Sequence, residues 1–83
     1  MDIENKVVVV TGAASGIGRA LAQAFRNAKA DKVYIADLNE DGLTETADLM
    51  EGIAIRTDVS NESEIKDLIE KVNKENDIDI FLS

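Results

Sequence analysis

The stretch VVVVTGAASGIG, Val7–Gly18, sets four valines directly against a run of small residues that carries three glycines. Val7–Val10 does not alternate with polar residues, so Lys6–Thr11 reads as a strand buried on both faces. Past Gly16 the period changes. Ile17, Ala20, Leu21, Ala24, Phe25 and Ala28 recur every three or four residues, the stripe of an amphipathic helix over Gly16–Lys29. The glycine run is therefore a strand-to-helix turn. A helix start presents unpaired N–H groups and the positive end of the helix dipole, and both favour phosphate. Gly12, Gly16 and Gly18 let the backbone turn tightly and approach a ligand closely, while Ala13, Ala14 and Ser15 keep the loop small. The competing reading is a glycine-rich turn that binds nothing.

Outward from this turn the two periods alternate. Lys32–Asp37 is a second strand, and Leu43, Ala47 and Met50 mark a helix over about 39–50. Gly52–Val59 is a third strand. Ile65, Leu68, Ile69 and Val72 mark a third helix over about 61–75, with Ser60 or Asn61 as N-cap, and Ile78–Ser83 is a fourth strand. Strands alternating with helices predict an α/β fold: three layers around a doubly wound parallel sheet with right-handed crossovers. The expected strand order is 3-2-1-4, with helices 16–29 and 39–50 on one face and helix 61–75 on the other. The 83 residues carry no internal repeat, linker or proline, and read as a single partial domain, 1–83.

Composition excludes several classes. There is no cysteine and no histidine, so no disulfide, thiolate metal site or imidazole base is available. The Asp77/Asp79 pair lacks a third ligand nearby, and no metal is expected. The formal net charge of −8 opposes binding to nucleic acid and to anionic membranes. The longest apolar run, Val7–Val10, is far short of a membrane span, and no signal peptide is expected in the acidic N-terminus. A cysteine-free chain fits a reducing compartment, so the expected location is the cytoplasm.

The glycine spacing is T-G-x-x-x-G-x-G. It differs from G-x-G-x-x-G, and it is not a P-loop, because Ile17 stands where that motif needs its second glycine. Asp37 ends the second strand, whose tip lies beside the tip of the first in a doubly wound sheet. A carboxylate there can accept the ribose hydroxyls of a dinucleotide and repel a 2′-phosphate, which favours NAD over NADP. The alternative is that Asp37 only caps the following helix.

With Thr-Gly-x-x-x-Gly-Ile-Gly at Thr11–Gly18, the chain resembles the short-chain dehydrogenase/reductase family over roughly residues 5–83. The resemblance implies a partial Rossmann-type fold and a cofactor site at Gly12, Ser15, Gly16, Ile17 and Gly18. Ser15 and Leu38 occupy the two places where NADP-binding members often carry a basic residue. It further implies that Asp58 contacts the adenine amino group and that Val59 lines the ring pocket; the alternative for Asp58 is decoration of a helix start. Family members continue strand four as Asp-Ile-Leu-Val-Asn-Asn-Ala-Gly, and Asp79–Ser83 matches its beginning. The family's serine and Tyr-x-x-x-Lys pair have no counterpart here, since Tyr34 lies inside strand two and Leu38 stands four residues on. The expectation is the NAD-binding part of an oxidoreductase. A full-length relative would transfer hydride between NAD(H) and an alcohol or carbonyl substrate, whereas these residues alone hold no catalytic group. The alternative is an adenine-nucleotide-binding module or folding fragment without turnover. Self-association is expected through the apolar edge of strand 78–82.

Overall fold

In the computed structural model, which describes residues 3–83, the elements run β1 (Val7–Thr11), α1 (Gly16–Asn27), β2 (Lys32–Asp37), α2 (Glu40–Met50), β3 (Ile53–Arg56), α3 (Glu62–Asn73) and β4 (Ile80–Leu82). All pairings are parallel and the order is β3-β2-β1-β4. The chain first winds away from β1 and then crosses back, after α3, to its other side. This is the doubly wound arrangement that alternating strands and helices predict.

β1 is central and its five residues are all buried, as a non-alternating valine run requires. Val8 and Val10 face α1 and α2, packing with Val33, Ile35, Ala22, Leu43 and Met50. Val7 and Val9 face α3, packing with Tyr34, Ala36, Leu68 and Val72. Tyr34 is only 2% exposed. Its hydroxyl donates to Glu75 Oε2 (3.0 Å) and accepts from Asn76 Nδ2 (3.1 Å), which ties the end of the α3 segment to the sheet. Burial pushes the phenol pKa up.

The face that α1 buries differs from the expected stripe. Ala22 is its buried residue, with Phe25 packed against the same cluster, while Ile17 is 81% and Leu21 39% exposed. Ala20, Ala24 and Ala28 are exposed as well. Two arginines on α1 account for the difference, because both reach across to α2. Arg26 donates from Nε to Met50 O (3.0 Å) and from Nη2 to Glu51 O (3.0 Å), meeting the last carbonyls of α2. Arg19, seven residues earlier, does the same at the start of α2. With these polar residues along the seam, the helix seats on Gly18, Ala22 and Phe25.

Several bounds are tighter than expected. α1 ends at Asn27, and Lys29 takes a left-handed conformation (φ 68°) that terminates it. β3 stops at Arg56 rather than Val59. The Thr57 N–H still reaches Asp37 O (3.0 Å), but Asp58 then turns the chain by accepting the Ser60 N–H (3.0 Å) and hydroxyl (2.6 Å) on Oδ1. Asn61, not Ser60, caps α3. β4 pairs with β1 only at Val8–Val10. Below that register, Asp79 takes over: its Oδ2 accepts the Val7 N–H (2.8 Å) and its own N–H donates to Val7 O (2.9 Å).

Candidate functional site

The three helices start at the edge of the sheet where the parallel strands end, and they start differently. Asn39 caps α2 by accepting the Gly42 N–H, and Glu40 and Asp41 stand in its first turn. Asn61 caps α3 by accepting from Ser63 and Glu64, and Glu62 and Glu64 stand in its first turn. α1 has neither device. Ser15 is its N-cap in extended backbone (φ −164°, ψ 175°), makes no side-chain cap, and no acidic residue lies in the first turn. Among the described residues, the first N–H groups of α1 thus have no intrahelical partner, no capping oxygen and no neutralising carboxylate in the first turn.

The glycines shape the space in front of those amides. Gly12 (φ 69°) and Gly16 (φ 59°) lie in the left-handed region, and a Cβ on either would meet nothing within 4 Å. Glycine is required there by backbone conformation, and the volume it leaves is open. Gly18 serves packing instead, since a Cβ there would collide with the carbonyl of Gly12. Gly42 is also tight, though less so: a Cβ would stand 2.8 Å from Ala14 O, so the start of α2 lies directly against the loop.

Asp37 stands beside this loop, half-buried. Its Oδ2 accepts the Ala14 N–H (3.0 Å) and its Oδ1 accepts the Asn39 N–H (3.1 Å). The alternative reading of Asp37 as the helix cap is corrected, because Asn39 is the cap of α2. Each carboxylate oxygen retains acceptor capacity beyond its one backbone bond. Leu38, just after β2, and Val59, on the turn after β3, are 49% and 45% exposed, and Ile17 in the first turn of α1 is exposed as well. Asp58 sits on the turn after β3. The Ser60 hydroxyl and then the Ser60 N–H, with Arg56 nearby, hold its carboxyl below the usual carboxylate range.

Sequence reasoning missed the residues behind the loop. Arg19 donates from Nε to Thr46 Oγ1 (2.8 Å) and from Nη2 to Ala14 O (2.5 Å) and Gly42 O (3.2 Å), with Nη1 paired to Glu45 (3.1 Å). Thr46, fully buried, lies 2.7 Å from Ala13 O. One signal was available. Thr46 falls among Leu43, Ala47 and Met50 on the apolar face of α2, and a buried hydroxyl needs a partner. Two hollows flank β3, one lined by Thr57, Glu64 and Lys71 among others and one by Glu40, Thr44 and Arg56 among others; neither touches the glycine loop. Among the described residues, no group of three or more acidic, histidine or cysteine side chains could hold a metal, and no helix is long and apolar enough to cross a membrane.

Comparison with known proteins places this geometry. The family model for short chain dehydrogenases matches residues 6–83. The chain is 39% identical over 75 residues to the uncharacterized oxidoreductase YxbG of Bacillus subtilis, covering 84% of this chain and 27% of that protein. It is 35% identical over 75 residues to the NAD-dependent glycerol dehydrogenase of Listeria innocua, covering 88% and 29%. A short chain dehydrogenase/reductase from Burkholderia phymatum, solved in complex with NAD, superposes with a TM-score of 0.83 at 35% identity, covering 89% of this chain and 28% of that one. The chain thus spans between a quarter and a third of the length of these relatives. With the T-G-x-x-x-G-I-G turn, the 3-2-1-4 parallel sheet and the match over residues 6–83 in agreement, the chain belongs to the short-chain dehydrogenase/reductase family of oxidoreductases.

Proposed function

We propose that this chain is the part of an NAD-dependent oxidoreductase that holds the adenosine and pyrophosphate portions of the cofactor. The observation that carries the reading is the uncapped start of α1 facing the open space before Gly12 and Gly16, beside helix starts that are capped and acidic. A pyrophosphate fits there, because backbone N–H groups and the dipole both attract it and no side chain fills the volume. Asp37, next to the loop, accepts the ribose hydroxyls through its remaining lone pairs and disfavours a 2′-phosphate by like charge. Asp58 and the exposed Ile17, Leu38 and Val59 receive the adenine. NAD supplies hydride acceptance when bound; this chain's residues bind and orient its adenosine end. The similarity to an NAD-dependent glycerol dehydrogenase and to an NAD-bound family member supports the choice of cofactor. In the whole protein, hydride moves between this cofactor and an alcohol or carbonyl group.

The test is a calorimetric titration with NAD, NADP and ADP against the wild type and Asp37→Ala. Wild type is expected to bind NAD at about 0.1 mM or weaker, with ADP nearly as well, because the nicotinamide end has no wall among these residues. Asp37 also holds the Ala14 N–H, so its loss weakens both dinucleotides. The ratio of NAD to NADP affinity reads the lost ribose acceptor and the lost charge together, and it should fall towards one. An unchanged ratio, or low-micromolar NAD binding without ADP binding, refutes the assignment.

A further inference from the structure

Behind the glycine loop, Arg19, Thr46 and the carbonyls of Ala13 and Ala14 form a directed chain of hydrogen bonds. Arg19 Nε–H donates to Thr46 Oγ1 at 2.8 Å. A guanidinium is donor-only, so Thr46 must be the acceptor in that bond, and its single proton is left to donate onward. Two carbonyls are in reach, Ala13 at 2.7 Å and Gly42 at 3.1 Å. The shorter one belongs to the loop. Arg19 Nη2 meanwhile holds Ala14 O at 2.5 Å. Thr46 is fully buried.

Peptide planarity turns this bracing into orientation. In a trans peptide the C=O and the following N–H point in opposite directions. Drawing Ala13 C=O towards α2 turns the Ala14 N–H away, and it meets Asp37 Oδ2. Drawing Ala14 C=O towards Arg19 turns the Ser15 N–H away from α2, to the side where none of the described residues caps the helix. The carbonyls, which would repel a phosphate, are thereby kept on the far side of the loop.

We infer that Arg19 and Thr46 are positioning residues that set the turn before α1 and aim the Ser15 amide at the pyrophosphate, and that they act through the Ala13 and Ala14 carbonyls without touching the ligand. The inference deepens the nucleotide-binding reading above and rests on it. It assigns to Arg19 a role behind the loop, since its side chain is 25% exposed and its donors are engaged with protein groups.

The experiment uses the full chain and four variants: Thr46→Val, which keeps the shape and removes the hydroxyl; Thr46→Ser, which restores it; Arg19→Lys, which keeps the charge and loses the fork; and Glu45→Gln as a control on the exposed pair. Backbone amide shifts and hydrogen exchange of Ser15–Gly18 are measured without ligand, and affinities are then measured for ADP and for adenosine. Thr46→Val and Arg19→Lys are expected to move those amide signals and to weaken ADP by about tenfold, the effect of one misaligned charge-assisted bond, with adenosine unchanged within about twofold. Thr46→Ser should return ADP affinity to within about twofold of wild type, and Glu45→Gln should leave it unchanged. Equal losses for ADP and adenosine, or unmoved Ser15–Gly18 amides in both Thr46→Val and Arg19→Lys, overturn the inference. If wild type binds neither ligand, the nucleotide reading fails, while the amide signals still decide whether Arg19 and Thr46 set the loop. If Thr46→Val does not fold, Arg19→Lys carries the same comparison.

Discussion

α1 and α3 begin at the same edge of one sheet and are built in opposite ways. α3 satisfies itself. Asn61 accepts the Ser63 and Glu64 amides, Glu64 reaches back to the Asp58 N–H (3.0 Å), and Asp58 gathers Ser60, all within six residues of sequence. α1 leaves its own amides open and is braced from behind by residues 23 to 33 positions away: Asp37, Thr46 and Gly42. A local cap completes a helix as structure, whereas bracing from a distance fixes a loop and leaves its donors for something else. The contrast separates a helix start that belongs to the fold from one that is available to a ligand.

The contrast breaks most severely at Gly18. A Cβ there collides with the Gly12 carbonyl, so Gly18→Ala must part the loop from its helix. The expected loss is about 3 kcal/mol, the upper end for overpacking, and urea denaturation should find little or no cooperative transition left. On the α3 side, Asn61→Ala removes a cap that serves two amides, and the same measurement should show a loss of about 1 kcal/mol with nucleotide affinity unchanged. Ser15→Asp sharpens the comparison by giving α1 what α3 already has. An acidic cap at the positive helix end should raise stability by about 0.5 kcal/mol and weaken ADP binding by charge repulsion, so stability and affinity move in opposite directions. If both rise, the α1 start is not the phosphate site.

The smallest effect is one of pH. The Asp58 carboxyl is depressed in the folded chain by the Ser60 hydroxyl and N–H. A depressed acid contributes stability above its unfolded pKa and loses it as pH falls through the folded value. Asp58→Asn should therefore flatten the acid limb of the stability profile below about pH 4, with a small loss at neutrality that fades as pH falls through the folded value. A variant profile that stays parallel to wild type down to pH 2 would show that the Ser60 contacts carry no net stability.

The strand order and the α1 start were legible because each rests on a local pattern. Val7–Val10 without alternation names a central strand, and small residues between it and a helical period name the turn. The buried face of α1 was not legible. Ile17, Leu21, Ala24 and Phe25 give a convincing stripe, yet the helix seats on Gly18, Ala22 and Phe25 because Arg19 and Arg26 bind α2. Periodicity locates apolar residues, but it cannot register which polar side chains find partners on a helix that comes later in the chain. The same blindness hid Asp37's bond to the Ala14 N–H, which joins two motifs that were read separately. The end of β3 at Arg56 was missed for a milder reason. Thr57, Asp58 and Val59 have strand-like composition apart from one aspartate, and that aspartate's bonds to Ser60 start the turn.

The clamp between Asp79 and Val7 has a consequence for how the protein is made. Both polar groups of the Val7 backbone wait for a residue that lies 72 positions later. At ordinary elongation speeds of about 5–20 residues per second, roughly 4–14 s separate the emergence of the two partners from the ribosome. Through that interval the foot of the central strand has one flank pairing with β2 and the other exposed to solvent and to neighbouring nascent chains. β1 thus gains its second flank only after β2 and β3 have been made, and the valine run stays one-sided until then.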